Sequence, residues 1–227
     1  MIDLLSAPIL WILLSILLSV FLNGIRLRIS SGLYQYLKLG RWAIVPYLAL
    51  VSGHVSPRLM GITDLDWALG LGIGVGIVLG LLLLVVIANV TAGAEVNRAF
   101  YRSIPENPRP SDVALPSKWI WVAIQACTEE VHWLFLRAAL WETLLFFPQL
   151  ADTSASYVAV WVAGTIALIE TSLHSTLGTE WVWSLTTLLL SSVLYLYTRN
   201  IYLCCMLHVG LAIVRPSFTS ATHSAHA

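Results

Sequence analysis

Charge is what this chain has little of. Of 227 residues only 11% are Asp, Glu, Lys or Arg, against 58% hydrophobic, and the 12 basic and 12 acidic side chains cancel to a formal net charge of zero. Soluble domains carry about a quarter charged residues, so half of the usual solvating layer is missing and an ordinary water-soluble fold is excluded. A basic face for nucleic acid is missing too, and the acidic residues are too scattered to form a tail. Cysteine is scarce: Cys127, Cys204 and Cys205 all fall inside apolar runs, which fits small buried side chains and not a secreted disulfide framework.

What the chain does have is long apolar runs and a mean hydropathy of +0.82. A membrane-spanning helix needs about 20 mainly apolar residues. Seven runs of roughly that kind lie at 5–25, 42–55, 67–93, 119–147, 155–175, 181–198 and 201–214, the second and last being short. They predict an all-α polytopic membrane bundle of about seven spans, with six to eight compatible with the pattern. The first run has no basic start and no small-residue cleavage site before Arg26, so it reads as a retained helix and not a cleaved signal.

Lys and Arg fix the expected orientation. Arg26, Arg28, Lys38 and Arg41 fall in a predicted 26–41 loop, and Arg98, Arg102, Arg109 and Lys118 in a 94–118 loop. With both loops cytoplasmic, the N-terminus lies outside and the C-terminus inside the cell membrane. The polar 94–118 loop, rich in proline, divides a three-span segment at 1–93 from a four-span core at 119–214, and a polar tail follows at 215–227. Gly72, Gly76 and Gly80 recur every four residues, the pattern of a close helix-packing seam.

Ionisable side chains at membrane depth cost a few kcal/mol and mark functional sites by default. By these boundaries the first three spans hold almost none apart from His54. The last four contain Glu129, Glu130, His132, Arg137, Glu142, Glu170, His174 and His208. At 100° per residue, Glu130 and Arg137 return to one helix face about 10 Å apart along the axis. Glu129, His132 and Trp133 share the neighbouring face, and Glu170 and His174 share another. With alternating helix directions, Glu129, Glu130, His174 and His208 can converge on one cavity open to the cytoplasm. Such a set can activate water: a partly desolvated carboxylate acts as general base while a second carboxylate or an imidazole moves a proton or stabilises an oxyanion. Glutamate and histidine also suit Zn²⁺, so the residue types leave both mechanisms open.

The order of these residues resembles the CPBP family of intramembrane proteases, which includes the CAAX prenyl endopeptidases of the Rce type and bacteriocin-immunity and processing relatives. The best stretch is Leu194-Tyr195-Leu196-Tyr197-Thr198-Arg199-Asn200-Ile201-Tyr202-Leu203-Cys204-Cys205-Met206-Leu207-His208. It is similar to the family's passage from one helix through a short turn into the final helix and its third motif. The likeness covers about 119–214. Three departures stand out: Arg137 follows Glu130 by seven residues and not four, Glu170 replaces an aromatic four residues before His174, and Ala212 stands where a polar residue follows the last His.

The resemblance implies hydrolysis of a peptide bond in a membrane protein or a prenylated or otherwise lipidated peptide. Glu129 or Glu130 would activate water, while His174 and His208 would stabilise the oxyanion or, with Glu129, bind Zn²⁺. Arg137, His132 and Glu170 would support them. The departures equally suit an inactive subunit of the same fold that serves as an assembly or binding scaffold in a membrane complex. A metal or cofactor oxidoreductase is the third reading, from Glu129-x-x-His132 and Glu170-x-x-x-His174, although a di-iron bundle needs paired Glu-x-x-His motifs from two helices and only one has that spacing.

Overall fold

The computed structural model describes residues 8–91, 115–147, 155–174 and 179–220. Within them the chain is all helical: α1 (Pro8–Ile25), α2 (Ser31–Val51), α3 (Trp67–Thr91), α4 (Leu115–Leu145), α5 (Ala155–His174), α6 (Thr179–Thr198) and α7 (Ile201–Ser220). Each predicted apolar run therefore has its helix. Two helical stretches, Pro8–Ile25 and Ala155–Leu173, are by themselves long and apolar enough to cross a bilayer; Trp67–Gly80 and Ile201–Ile213 are shorter apolar stretches.

The boundaries differ from the sequence expectation in three places. The second helix is not a short segment beginning at 42 but a 21-residue helix from Ser31. Its N-cap is Ser30, whose hydroxyl accepts the Leu33 amide at 3.4 Å and satisfies one donor that a helix start leaves open. Lys38 and Arg41 are therefore helical residues and not loop charges. At the other end, α7 runs through the expected tail to Ser220. Finally, α4 starts at Leu115, taking Pro116 and Lys118 out of the expected 94–118 loop; the remaining basic residues of that loop, Arg98, Arg102 and Arg109, lie outside the described residues, as do the 149–154 loop and His223 and His226.

Helix α4 is the axis of the bundle. Its 31 residues extend about 46 Å at 1.5 Å per residue, and it packs against α1, α2, α5 and α7, while α6 joins α3, α5 and α7. Phe135, Leu136, Ala138 and Ala139 of α4 meet Ile12 of α1, Val45 and Ala49 of α2, and Ala163 and Ala167 of α5 in one apolar core. Leu134 meets Leu194 and Tyr195 of α6 and Leu203 and Leu207 of α7 in a second. Small residues let α5 approach α4 closely, as the fully buried Ala159, Ala163 and Ala167 show.

Polarity is inverted relative to a soluble bundle. Leu17 and Phe21 of α1, Leu79 and Leu83 of α3, Trp161 and Ile169 of α5 and Met206 of α7 are exposed, whereas Arg41, Glu130, His132, Arg137, Glu170 and His208 are buried. So much exposed apolar surface signals a non-aqueous or protein-covered surrounding.

One end of the bundle is closed by the 52–66 connection. The Ser56 amide donates to Glu142 at 3.1 Å, Tyr195 donates its hydroxyl to the Leu59 carbonyl, and the Ile201 amide donates to the Gly61 carbonyl at 3.0 Å. Gly61 has φ +73°, and a Cβ there would stand 2.4 Å from the Arg199 carbonyl, so only glycine fits. Asn200 caps α7, its side-chain oxygen accepting the Tyr202 and Leu203 amides at 3.0 and 3.2 Å. Glu142, one of the ionisable residues of the predicted core, is tied to this connection. Among the described residues the expected glycine seam makes no contact: a Cβ at Gly72, Gly76 or Gly80 would meet nothing within 4 Å, while at Gly70 it would meet Leu203 Cδ1 at 2.6 Å. The close approach of α3 to α7 lies two residues before the repeat begins, about half a turn away on the opposite face.

Candidate active site

Glu130, at the middle of α4, is fully buried. A bare carboxylate there would be unsustainable, and three side chains compensate it. Arg137 donates Nη1 to Oε1 at 3.2 Å, Ser191 of α6 donates its hydroxyl to the same oxygen, and His208 of α7 places Nδ1 3.1 Å from Oε2. Arg137 is held in turn by the Ser191 and Ser192 hydroxyls, each at 3.0 Å, and its guanidinium lies 5.6 Å from the centroid of the Tyr195 ring. Trp133 stacks on His208 with ring centroids 4.9 Å apart and planes at 23°. An ionised carboxylate can only accept, so the proton of His208 sits on Nδ1 and the ring presents Nε2 as its second polar atom.

The pair at 129–130 thus divides into two kinds of carboxylate. Both oxygens of Glu130 are engaged by Arg137, Ser191 and His208. Glu129 is half-buried, interacts electrostatically with His208, and takes no hydrogen-bond partner among the described residues. A charge-balanced anchor and an uncommitted carboxylate thus sit side by side, both acting on the same imidazole.

The other expected residues go elsewhere. His132 does not join Glu129. Its Nε2 meets Glu170 Oε2 at 2.7 Å, and Arg41 of α2 donates Nη1 to Glu170 Oε1 at 3.0 Å and to the Ser15 carbonyl of α1 at 3.0 Å. Glu170 thus belongs to a Glu170–His132–Arg41 cluster. His174 ends α5, and its side chain lies outside the described residues. The described ionisable groups therefore form two clusters, one on α4, α6 and α7 and the other on α1, α2, α4 and α5.

Among the described residues no three His, Cys, Asp or Glu side chains gather at ligand distance, and the His174 side chain of the expected Glu129–His174–His208 zinc set lies outside them. The three cysteines are free thiols.

Sequence reasoning missed Arg41, Ser191 and Ser192. The signal for Arg41 was the Ser30 cap, which places it inside a helix. Ser191-Ser192 has no motif, only the oddity of two adjacent hydroxyls in an apolar run, four and three residues before Tyr195. No protein-family model, curated protein or solved structure matches this chain.

Proposed function

We propose that the chain is a seven-span integral membrane hydrolase of the CPBP type, an endopeptidase that cleaves a membrane or lipidated protein with a glutamate-activated water. In this reading the N-terminus is outside, the C-terminus is cytoplasmic, and the apolar exterior faces lipid. The observation that carries the reading is the meeting of Glu130 and His208 across 78 residues of chain, at 3.1 Å, with Glu129 left uncommitted beside them.

Glu129 is the base. It takes a proton from water, whose oxygen attacks the scissile carbonyl carbon, and charge builds on the carbonyl oxygen. His208, oriented by Glu130 through Nδ1 and by Trp133 across its face, stabilises that oxygen or passes a proton through Nε2. The proton held by Glu129 then goes to the leaving amine as the C–N bond breaks, giving a carboxylic acid and an amine. Arg137, Ser191 and Ser192 hold Glu130 in place; removing such support typically costs orientation first. The altered Arg spacing is no obstacle, because Arg137 reaches Glu130 despite it.

The test is cleavage of a library of membrane and prenylated peptides by the full chain in lipid vesicles. Glu129→Gln is expected to lower turnover at least 100-fold, in the range general-base loss produces, with the unfolding temperature kept. Unchanged activity in Glu129→Gln and in His208→Ala would overturn the reading.

An inactive subunit of the same fold is the second reading, favoured by the saturation of Glu130 and by Ala212 in place of a polar residue after His208. It predicts no cleavage by the wild-type chain and co-purification with other membrane subunits.

A further inference from the structure

Buried polar atoms without partners are rare in folded proteins, and each calls for an occupant. Among the described residues seven buried side-chain nitrogen or oxygen atoms lack a hydrogen-bond partner: Ser15 Oγ, Arg41 Nε, Arg41 Nη2, Trp42 Nε1, His132 Nδ1, Arg137 Nε and Asn200 Nδ2. The first five belong to one place. Arg41 and His132 are joined through the two oxygens of Glu170. Trp42 stacks on His132 with centroids 6.2 Å apart, its ring centroid lies 5.9 Å from the Arg41 guanidinium carbon, and Ser15 holds Arg41 through its carbonyl. Arg41, Trp42, His132 and Ser15 are all at least nine-tenths buried.

The chemistry of the five atoms is lopsided. Arg41 Nη1 is spent on Glu170 and Ser15, so Nε and Nη2 remain as a pair of N–H donors along one edge of the guanidinium. The Trp42 indole adds a third donor. Glu170 engages His132 Nε2 at 2.7 Å, leaving Nδ1 as the ring's remaining polar atom, and the Ser15 hydroxyl can donate or accept. Arg41 and Glu170 cancel in charge, and Lys38 Nζ lies 4.3 Å from the Trp42 ring centroid. Water can both donate and accept, so it satisfies such a mixed set of N–H donors, imidazole nitrogen and hydroxyl; it makes about three hydrogen bonds when buried and settles where polar groups would otherwise stay unpaired.

We infer that the α1–α2–α4–α5 interface holds an internal hydration site, with ordered water bound by Arg41 Nε and Nη2, Trp42 Nε1, Ser15 Oγ and His132 Nδ1. It is separate from the Glu130–His208 cluster and does not depend on the proposed hydrolase activity. The site places water against an imidazole nitrogen deep in the bundle, the ring being held at its other nitrogen by Glu170. An apolar Trp42 neighbourhood without water would leave donors unpaired at a cost of the order of a whole domain's stability.

Water-edited solid-state NMR of the full chain in lipid bilayers tests this. The indole and guanidinium Nε protons of Trp42 and Arg41 are assigned by the Trp42→Phe and Arg41→Lys variants, and transfer from water is measured on the wild type. The expected result is polarisation building up several-fold faster at those protons than at the amides of Phe135 and Leu136 in the dry core. Build-up as slow as in that core would overturn the site. So would a shift of the Arg41 Nε–H signal on exchanging chloride for phosphate without water transfer, which would assign the cluster to a small anion.

Discussion

Glu130 and Arg137 stand seven residues apart on one helix, yet their side chains meet at 3.2 Å. Two turns of helix separate their Cα atoms by about 10 Å. Long helical side chains lean back toward the N-terminus, which carries the guanidinium down to the carboxylate. Ser191 completes the span by bonding both groups. A spacing that looked like a departure from a shorter motif is therefore a working contact.

That contact is also a liability. Arg137→Met leaves the Glu130 carboxylate buried with only His208 and Ser191 to compensate it, and breaking a buried pair from one side costs about 3–5 kcal/mol. Denaturant unfolding of the purified chain in detergent is expected to show a loss of that size. A loss below about 1 kcal/mol, the range of exposed pairs, would contradict the buried geometry.

The two adjacent glutamates are expected to respond differently to the same substitution. Glu130→Gln disturbs three hydrogen bonds at a fully buried site and should destabilise by about 2–4 kcal/mol. Glu129→Gln should stay within about 0.5 kcal/mol, as for positions away from buried networks. Equal effects on unfolding would remove the distinction between anchor and uncommitted carboxylate.

Arg41 and Glu170 join α2 to α5 across 129 residues. A double-mutant cycle with Arg41→Met and Glu170→Leu is expected to give a favourable coupling of about 1–3 kcal/mol, the double variant being more stable than the sum of the singles predicts. Additivity would mean that the pair is not formed in the folded protein.

Glycine substitutions test the closed end of the bundle. Gly61→Ala meets both a positive φ and the Arg199 carbonyl at 2.4 Å and should cost more than about 2 kcal/mol, beyond backbone strain alone. Gly76→Ala meets open space and should change stability by less than about 1 kcal/mol. The order of the two unfolding midpoints decides the matter.

Much of this arrangement was readable in advance because it is local. Apolar run length foretold seven helices, and helical face arithmetic put Glu130 and Arg137 together. His208 came from the resemblance at 194–208, not from its surroundings. What stayed hidden is contact between helices far apart in sequence. Nothing within 129–137 says that Glu130 and His132, two residues apart and so on different faces, serve different clusters, and nothing near 170 says that its partner lies on α2. Arg41 was misread for a specific reason: a cation beside an apolar run looks like a topology signal, and only the Ser30 cap shows that the helix has already begun. Ser191 and Ser192 were invisible because hydroxyls carry little weight in hydropathy.

The Arg41–Glu170 pair also has a history in time. Chains emerge from the ribosome at about 5–20 residues per second, so Arg41 is made roughly 6–26 seconds before its partner 129 residues later. During biosynthesis a guanidinium destined for the interior has no carboxylate to meet. Four helices, α1 to α4, are therefore synthesised before the pair that joins α2 to α5 can form.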